Sequence, residues 1–119
     1  MNILLIYEEN RKLQEIQKLI AMCYPDCEII ALSSGIEALN FIRYGEEQVD
    51  ICFTEIVMRD ISGFLITENL RRLNRNSKAV LIAKDEQFAL EGWQHGMNDY
   101  LIEPITLESV RHTLVSCAF

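Results

Sequence analysis

Residues 50–64 read DICFTEIVMRDISGF, and this stretch decides the fold class. Its apolar run, residues 51–54, is typical of a strand that is buried on both faces. The run ends at Glu55, and a helix with apolar residues at helical spacing begins at Ser62 and Gly63. A buried strand followed closely by an amphipathic helix predicts one unit of a parallel α/β sheet.

The same alternation extends along the whole chain. Strands are predicted at residues 3–7, 27–32, 51–54, 78–83 and 100–102, and helices at residues 10–23, 34–44, 62–74, 85–96 and 106–117. Strands buried on both faces, with helices between them, imply parallel pairing and right-handed crossovers. The sequence therefore predicts a doubly wound, three-layer α/β sandwich that forms one domain over residues 1–119.

The composition excludes several classes of protein. The chain has 119 residues, of which 50% are hydrophobic, and its 11 basic and 18 acidic residues give a net charge of −7. So acidic a chain repels nucleic acid and anionic membranes, and no apolar run approaches the roughly 20 residues that span a bilayer. The N-terminus lacks the basic residues of a secretory signal. We therefore expect a cytoplasmic domain that binds neither nucleic acid nor membrane.

The cysteines do not form a recognisable metal motif. Cys23 and Cys27 make one pair, whereas Cys52 and Cys117 are isolated in the sequence. A cysteine-based zinc site needs a second pair or a paired histidine. We expect four reduced cysteines that pack as small apolar groups.

Four glutamates follow strands whose ends meet at one edge of the predicted sheet. Glu8 and Glu9 follow the first strand, Glu55 follows the third and Glu103 the fifth. Ligands of doubly wound sheets bind at this edge. A nucleotide or flavin site would place glycines or hydroxyls after the first strand to hold phosphate, and two glutamates stand there instead. The sequence thus argues against nucleotide and flavin binding.

Several motifs resemble the receiver domain of bacterial two-component response regulators. Residues 50–64 are similar to the family's signature, in which an acceptor aspartate is followed by Met-Pro and then a glycine. Residues 99–104, DYLIEP, and residues 34–39, SGIEAL, are similar to two further family motifs. Residues 88–93, FALEGW, resemble receivers that precede LytTR-type DNA-binding domains. The resemblance implies a flavodoxin-like sheet with strand order 2-1-3-4-5.

The resemblance also implies a phosphorylation site from which this sequence departs. In the family, an aspartate accepts a phosphoryl group from a histidine kinase, and a hydroxyl and a lysine contact the phosphoryl oxygens. Here Glu55 stands at the acceptor position and Glu103 at the lysine position. The hydroxyl position falls on Ile82 or Ala83, depending on a one-residue gap. We expect no phosphorylation by the usual route and no enzymatic activity, because the cation that neutralises the transferred group is missing.

The family's acidic pair holds Mg²⁺, and its counterpart here is Glu8 and Glu9. One interpretation is a bound Mg²⁺ or Ca²⁺ held by Glu9, Glu55 and the backbone oxygen of Val57, with Glu8 acting through water. The predicted metal ligands are then Glu8, Glu9 and Glu55. Clustered carboxylates cannot all ionise without some such compensation.

Two other interpretations need no metal. Lys84 and Arg59, which replaces the proline after Met58, could supply an internal positive charge, or Glu103 could turn to solvent. We favour these two interpretations because the glutamate pattern has no metal-specific spacing. We therefore expect no cofactor, with Mg²⁺ as the alternative.

These departures favour a pseudo-receiver, a signalling module that binds a protein partner or forms a homodimer. The resemblance implies that the fourth helix, fifth strand and fifth helix carry such contacts. On that face lie Phe88, Trp93, His95, Tyr100 and Arg111. We assign Tyr100 and Trp93 to the switch or interface, although packing of Trp93 in the core explains it equally well.

Alternative functions stay open at the level of sequence. One is a working phosphoacceptor that uses Glu55 with Mg²⁺, and another is a metal- or small-ligand-binding module on the same fold. The resemblance further implies a sensor kinase as partner and a downstream output domain, such as a DNA-binding one. A stand-alone module is equally compatible with the sequence.

Overall fold

The computed structural model describes residues 1–117, in which five strands and five helices alternate. The strands are β1 (Asn2–Ile6), β2 (Glu28–Leu32), β3 (Ile51–Glu55), β4 (Lys78–Ala83) and β5 (Asp99–Ile102). The helices are α1 (Asn10–Cys23), α2 (Gly35–Tyr44), α3 (Gly63–Leu73), α4 (Ala89–Gln94) and α5 (Leu107–Ser116). The predicted elements are all present.

The five strands form one parallel sheet in the order β2-β1-β3-β4-β5. The predicted topology and fold class are therefore confirmed. In the register of the sheet, Glu55 of β3 lies opposite Ile82 of β4. Because all strands are parallel, their carboxyl ends meet at one edge, where the strand-end glutamates lie.

Side chains from alternate positions of the strands form a core on each face of the sheet. On one face, Phe53 and Ile82 pack with residues of α1 and α5 such as Ile20 and Val110. On the other face, Leu4 and Cys52 pack with residues of α2 and α3. Burial on both faces explains why the strands appear in the sequence as continuous apolar runs.

Four of the helices begin at a residue whose side chain accepts hydrogen bonds from backbone N–H groups of the first turn. These capping residues are Glu9, Ser34, Ser62 and Thr106, for α1, α2, α3 and α5. Such caps satisfy N–H groups that have no partner within the helix. They explain why these helix starts could be placed from the sequence.

Helix α4 is shorter than the predicted range of residues 85–96. Asp85 Oδ1 accepts a hydrogen bond of 2.9 Å from the N–H of Gln87, which holds the first residues of that range in a turn. Phe88 precedes the helix without a side-chain cap. At the other end, Gly96 adopts a φ of +84°, which ends helical geometry.

Gly63 allows the start of α3 to lie against the end of β3. A Cβ atom at this position would lie 2.1 Å from the carbonyl oxygen of Glu55. The Gly63 N–H donates to the carbonyl oxygen of Ile56 at 2.8 Å. The glycine therefore fixes the backbone that carries the candidate site.

Candidate functional site

The carboxyl ends of four strands bring charged side chains into one cleft. Glu8 follows β1, Glu55 ends β3, Lys84 follows β4 and Glu103 follows β5. All four line a cleft of about 370 Å³. This cleft brings together three of the four glutamates singled out in the sequence and a lysine, and Glu9 lines a neighbouring pocket with Glu8 and Glu55.

Glu55 is half-buried and accepts a hydrogen bond from the backbone of the loop that follows β1. The N–H of Glu8 donates to Glu55 Oε1 at 2.6 Å. Burial raises the pKa of the Glu55 carboxyl above its ordinary value, and the carboxylates of Glu8 and Glu103 add to the rise. The hydrogen bond from Glu8 and the charge of Lys84 oppose it. Lys84 therefore acts on Glu55 as the sequence suggested, through its charge.

Glu103 is held inside the cleft by two residues of the α1 side. The hydroxyl of Tyr7 donates a hydrogen bond to Glu103 Oε1, and Lys12 Nζ lies 3.4 Å from the same oxygen. The Glu103 side chain is only 14% exposed, so the interpretation that it turns to solvent is wrong. Burial and the hydrogen bond to Glu103 raise the pKa of the Tyr7 phenol, which therefore stays protonated as a donor.

Glu8 is bound by the loop between β3 and α3. The backbone N–H of Arg59 donates to Glu8 Oε2 at 2.8 Å. The Arg59 guanidinium lies 3.8 Å from the same oxygen, from Nε. The predicted internal cation at Arg59 is therefore in place beside Glu8.

Glu9 caps helix α1. Its Oε1 accepts from the N–H of Arg11 at 3.1 Å, and its Oε2 accepts from the N–H of Lys12 at 2.9 Å. A carboxylate at this position also interacts favourably with the helix dipole. Both oxygens of the second member of the acidic pair are thus used within α1.

The carboxylates as arranged do not fit a divalent cation. Glu9 is bound to its helix, Glu8 to Arg59, and Glu55 to the N–H of Glu8. Within residues 1–117, no group of three or more His, Cys, Asp or Glu side chains is arranged to hold a metal ion. The metal ligand set of Glu8, Glu9 and Glu55 stays a prediction that no contact in the cleft supports.

A family model described as the response regulator receiver domain matches residues 3–115. The chain belongs to this family. Receiver domains are signalling modules that interact with sensor kinases and other proteins, and they are not typical enzymes. The expectation that the chain resembles a receiver of two-component signalling is confirmed.

Relatives and solved structures agree with this assignment. The two-component response regulator ARR10 of Arabidopsis thaliana is 23% identical over 114 residues, which cover 94% of this chain and 20% of ARR10. The response regulatory domain of mrkE from Klebsiella pneumoniae superposes with a TM-score of 0.86 at 22% identity, over 98% of this chain and 94% of that one.

The receiver domain of the sensor histidine kinase PA1611 from Pseudomonas aeruginosa has a TM-score of 0.82 at 19% identity, over 98% of this chain and 96% of that one. That structure contains a magnesium ion in its active-site cleft. Over the described residues, this receiver has no helix long and apolar enough to cross a membrane. The chain spans about a fifth of the length of the curated relative ARR10.

Of the two candidates for the receiver's hydroxyl position, Ala83 lies on the face that carries Tyr100. Ala83 belongs to a buried cluster with Ile56 and Phe64, against which Tyr100 packs. Ile82 points to the opposite face, into the core formed with α1 and α5. Both side chains are apolar, so neither provides the hydroxyl that the family pattern places here.

Tyr100 is attached to the loop between β4 and α4. Its hydroxyl donates to the carbonyl oxygen of Asp85 at 2.6 Å and accepts from the N–H of Phe88 at 3.4 Å. These two bonds hold the Tyr100 ring through backbone groups of Asp85 and Phe88, two residues that also line the cleft. The predicted switch residue is thus bound to the helix α4 side of the receiver.

Trp93 lies on the surface. Its side chain is 62% exposed, and Leu90, one turn earlier on α4, is 73% exposed. The alternative that Trp93 packs in the core is therefore wrong. With Ile102 of β5, which is 45% exposed, these residues leave apolar area open on the face of α4 and β5.

His95 and Phe88 of the predicted face turn inward instead. The His95 ring stacks on Phe64 of α3 with 4.6 Å between centroids, and its Nδ1 lies 2.6 Å from Glu68 Oε1. The Phe88 ring packs edge-on against the Phe64 ring, with 6.2 Å between their centroids. These contacts attach α4 to α3, while Arg111 remains exposed on α5.

Sequence reasoning missed Lys12 and Tyr7 as members of the site. Lys12 lies in the first turn of α1, where a lysine in the sequence is typical of the solvent-exposed face of a helix. Tyr7 ends the first apolar run, a position that predicts a core residue, and in the structure it is 2% exposed. The signal that could have revealed Tyr7 is a phenol at the carboxyl end of a strand, where ligand-facing groups lie.

Proposed function

We propose that this receiver signals without phosphorylation of Glu55 and acts through contacts with a protein partner or a second copy of itself. The observation that carries the proposal is the placement of Glu103. A carboxylate stands at the family's lysine position, and it is bound to Tyr7 and Lys12. The arrangement places negative charge where the phosphoryl oxygens would need a cation.

The acceptor side chain adds a second obstacle. Glu55 is longer than aspartate by one methylene, which moves its carboxylate outward by about 1.5 Å. In-line phosphoryl transfer needs its groups within about 0.5 Å of their positions. Ala83 offers no hydroxyl to bind the phosphoryl group. Together these departures support a domain that does not switch by phosphorylation.

The face formed by α4, β5 and α5 is the proposed contact surface. Leu90, Trp93 and Ile102 expose apolar side chains there, and aromatic residues are enriched in protein interfaces. The sensor kinase and the downstream output domain implied by the family are included in this proposal as partners. The proposal does not include direct binding of nucleic acid or membrane by this domain, because its net charge of −7 opposes both.

The decisive experiment is incubation with acetyl phosphate and Mg²⁺ followed by intact-mass measurement. We expect no phosphoryl adduct on the natural chain. The matched control is the triple variant Glu55→Asp, Ala83→Thr, Glu103→Lys, which restores the family's groups and should gain one phosphoryl group. A phosphoryl adduct on the natural chain would overturn the proposal.

One observation favours a second candidate function, phosphorylation of Glu55 with Mg²⁺. Lys84 lines the same cleft and lowers the pKa of Glu55 by its charge, so a cation is near the acceptor position. In this alternative Lys84 replaces the missing lysine. The same mass measurement decides, because Lys84→Gln would then abolish an adduct that forms on the natural chain.

A further inference from the structure

Arg59 makes a hydrogen bond that the proline of the family pattern cannot make. Proline has no backbone N–H, whereas the N–H of Arg59 donates to Glu8 Oε2 at 2.8 Å. Glu8 is the first member of the receiver's acidic pair. The replacement of proline by Arg59 therefore brings a donor to the carboxylate that the family uses for its metal ion.

The backbone bond is the stronger half of this contact. A hydrogen bond from N–H to a carboxylate is charge-assisted and about twice as strong as a neutral one. The guanidinium, at 3.8 Å from Glu8 Oε2, belongs to a side chain that is 92% exposed, so its ion pair contributes little. Removal of the guanidinium alone should therefore leave most of the contact intact.

The next residue of the loop is attached to a different element. Asp60 Oδ2 accepts from the N–H of Ile36 at 2.9 Å and from the hydroxyl of Ser34 at 3.0 Å. The hydrogen bond from Ile36 is the main reason that the pKa of Asp60 lies below its ordinary value. The loop is thus bound to the β1–α1 loop through Arg59 and to the start of α2 through Asp60.

We propose that Arg59 acts as a built-in strap that replaces the divalent cation of the site. Its N–H, with a small contribution from its guanidinium, stabilises the Glu8 carboxylate and holds the β3–α3 loop in place without a metal ion. For this reason the residues of this chain do not match the metal site of the family, because Glu8 is bonded to Arg59. This inference rests on the proposed phosphorylation-independent function in one respect, since both take the cleft to hold no metal ion.

A titration with Mg²⁺ of the natural chain, Arg59→Pro and Arg59→Ala tests the strap. Calorimetry should show no heat of binding with the natural chain, whereas Arg59→Pro, which lacks both donor and cation, should show measurable Mg²⁺ binding. Arg59→Ala keeps the N–H and should resemble the natural chain. Equal Mg²⁺ affinity of all three proteins would overturn the proposal.

Hydrogen exchange tests the strap without any metal and without a proline variant that could fail to fold. In Glu8→Ala, exchange of the Arg59 amide should accelerate at least roughly tenfold, while the Ile36 amide keeps its rate. Asp60→Ala should have the reverse effect. An Arg59 amide that exchanges at the same rate in Glu8→Ala as in the natural chain would overturn the strap, and it would leave the phosphorylation result untouched.

Discussion

The hydroxyl of Tyr7 and the carboxylate of Glu103 connect residues that follow β1 and β5, two strands separated in the sheet by β3 and β4. Tyr7 is 2% exposed, so its hydroxyl has little access to water. A buried donor that loses its acceptor carries a larger penalty than the bond itself contributes. This pair therefore contributes to stability as well as to the charge of the cleft.

Substitution Tyr7→Phe should lower the free energy of unfolding by about 1–2 kcal/mol, because Glu103 loses its buried donor and keeps only Lys12. Urea denaturation measures the change. Tyr44→Phe is the matched control, since the Tyr44 side chain is 77% exposed. Equal effects of the two substitutions would contradict a stabilising role for the Tyr7 hydroxyl.

The raised pKa of Glu55 predicts a specific dependence of stability on pH. Below the ordinary glutamate pKa, the carboxyl is protonated in both states and pH has no effect through this group. As pH rises above that value, the unfolded state ionises first, so stability falls until pH passes the raised pKa of the folded state. The cost of the charged form is then fully present.

Glu55→Gln should therefore be more stable than the natural chain at neutral pH. The difference should shrink to nothing as pH falls through the raised pKa of Glu55 towards the ordinary glutamate value of about 4.3. Urea denaturation across this range measures it, with the exposed Glu47→Gln as control. A Glu55→Gln variant that is less stable than the natural chain at neutral pH, with the deficit disappearing on acidification, would mean that the folded state favours the charged form of Glu55.

Among single residues, the sequence predicted which positions lie at the strand ends and failed to predict their partners. Glu8, Glu55 and Glu103 meet as expected because parallel strands end together. Lys12 and Tyr7 were missed because their roles depend on rotamers and distances across elements. Spacing along one chain segment carries no information about such contacts.

At the scale of elements, α3 depends on its close approach to β3. Gly63→Ala should destabilise the receiver by about 3 kcal/mol, because the new Cβ meets the backbone oxygen of Glu55 and neither atom can move independently. Thermal or urea unfolding measures the loss. Arg72→Ala on the exposed side of α3 is the control, with an expected change within about 0.5 kcal/mol.

Helix α4 shows where reasoning from pattern reaches its limit. The apolar spacing of residues 85–96 predicted one helix, but a local hydrogen bond to Asp85 Oδ1 and a bond from Tyr100 of β5 to the Asp85 carbonyl hold the first part as a loop. The four helices that begin at a capping side chain were placed more accurately. A capping residue is a local signal in the sequence. Whether the residues before α4 form helix or loop depends instead on contacts with β5.

At the scale of the whole molecule, the sheet order was predictable because burial on both faces leaves continuous apolar runs. The sequence could not predict that the Trp93 side chain faces solvent, because an apolar residue at helical spacing can lie either in the core or on the surface. His95, which lies two residues later in the chain, takes the inward position on Phe64. The surface chemistry of the receiver therefore follows from packing that no single helix determines.

Trp93→Ala should change the free energy of unfolding by less than about 0.5 kcal/mol, because the side chain is 62% exposed. The same substitution should weaken homodimerisation or partner binding at least roughly tenfold if this face is the contact surface. Urea denaturation and sedimentation equilibrium measure the two effects, with Tyr44→Ala as control. A stability loss above about 2 kcal/mol would place Trp93 in the core after all.

The bond between the Tyr100 hydroxyl and the Asp85 carbonyl connects β5 to a loop that also lines the glutamate cleft. A molecule that binds the α4 and β5 face and displaces this loop would therefore change the wall of the cleft. Thermodynamic reciprocity then requires that any ligand of the cleft tune that docking by the same factor.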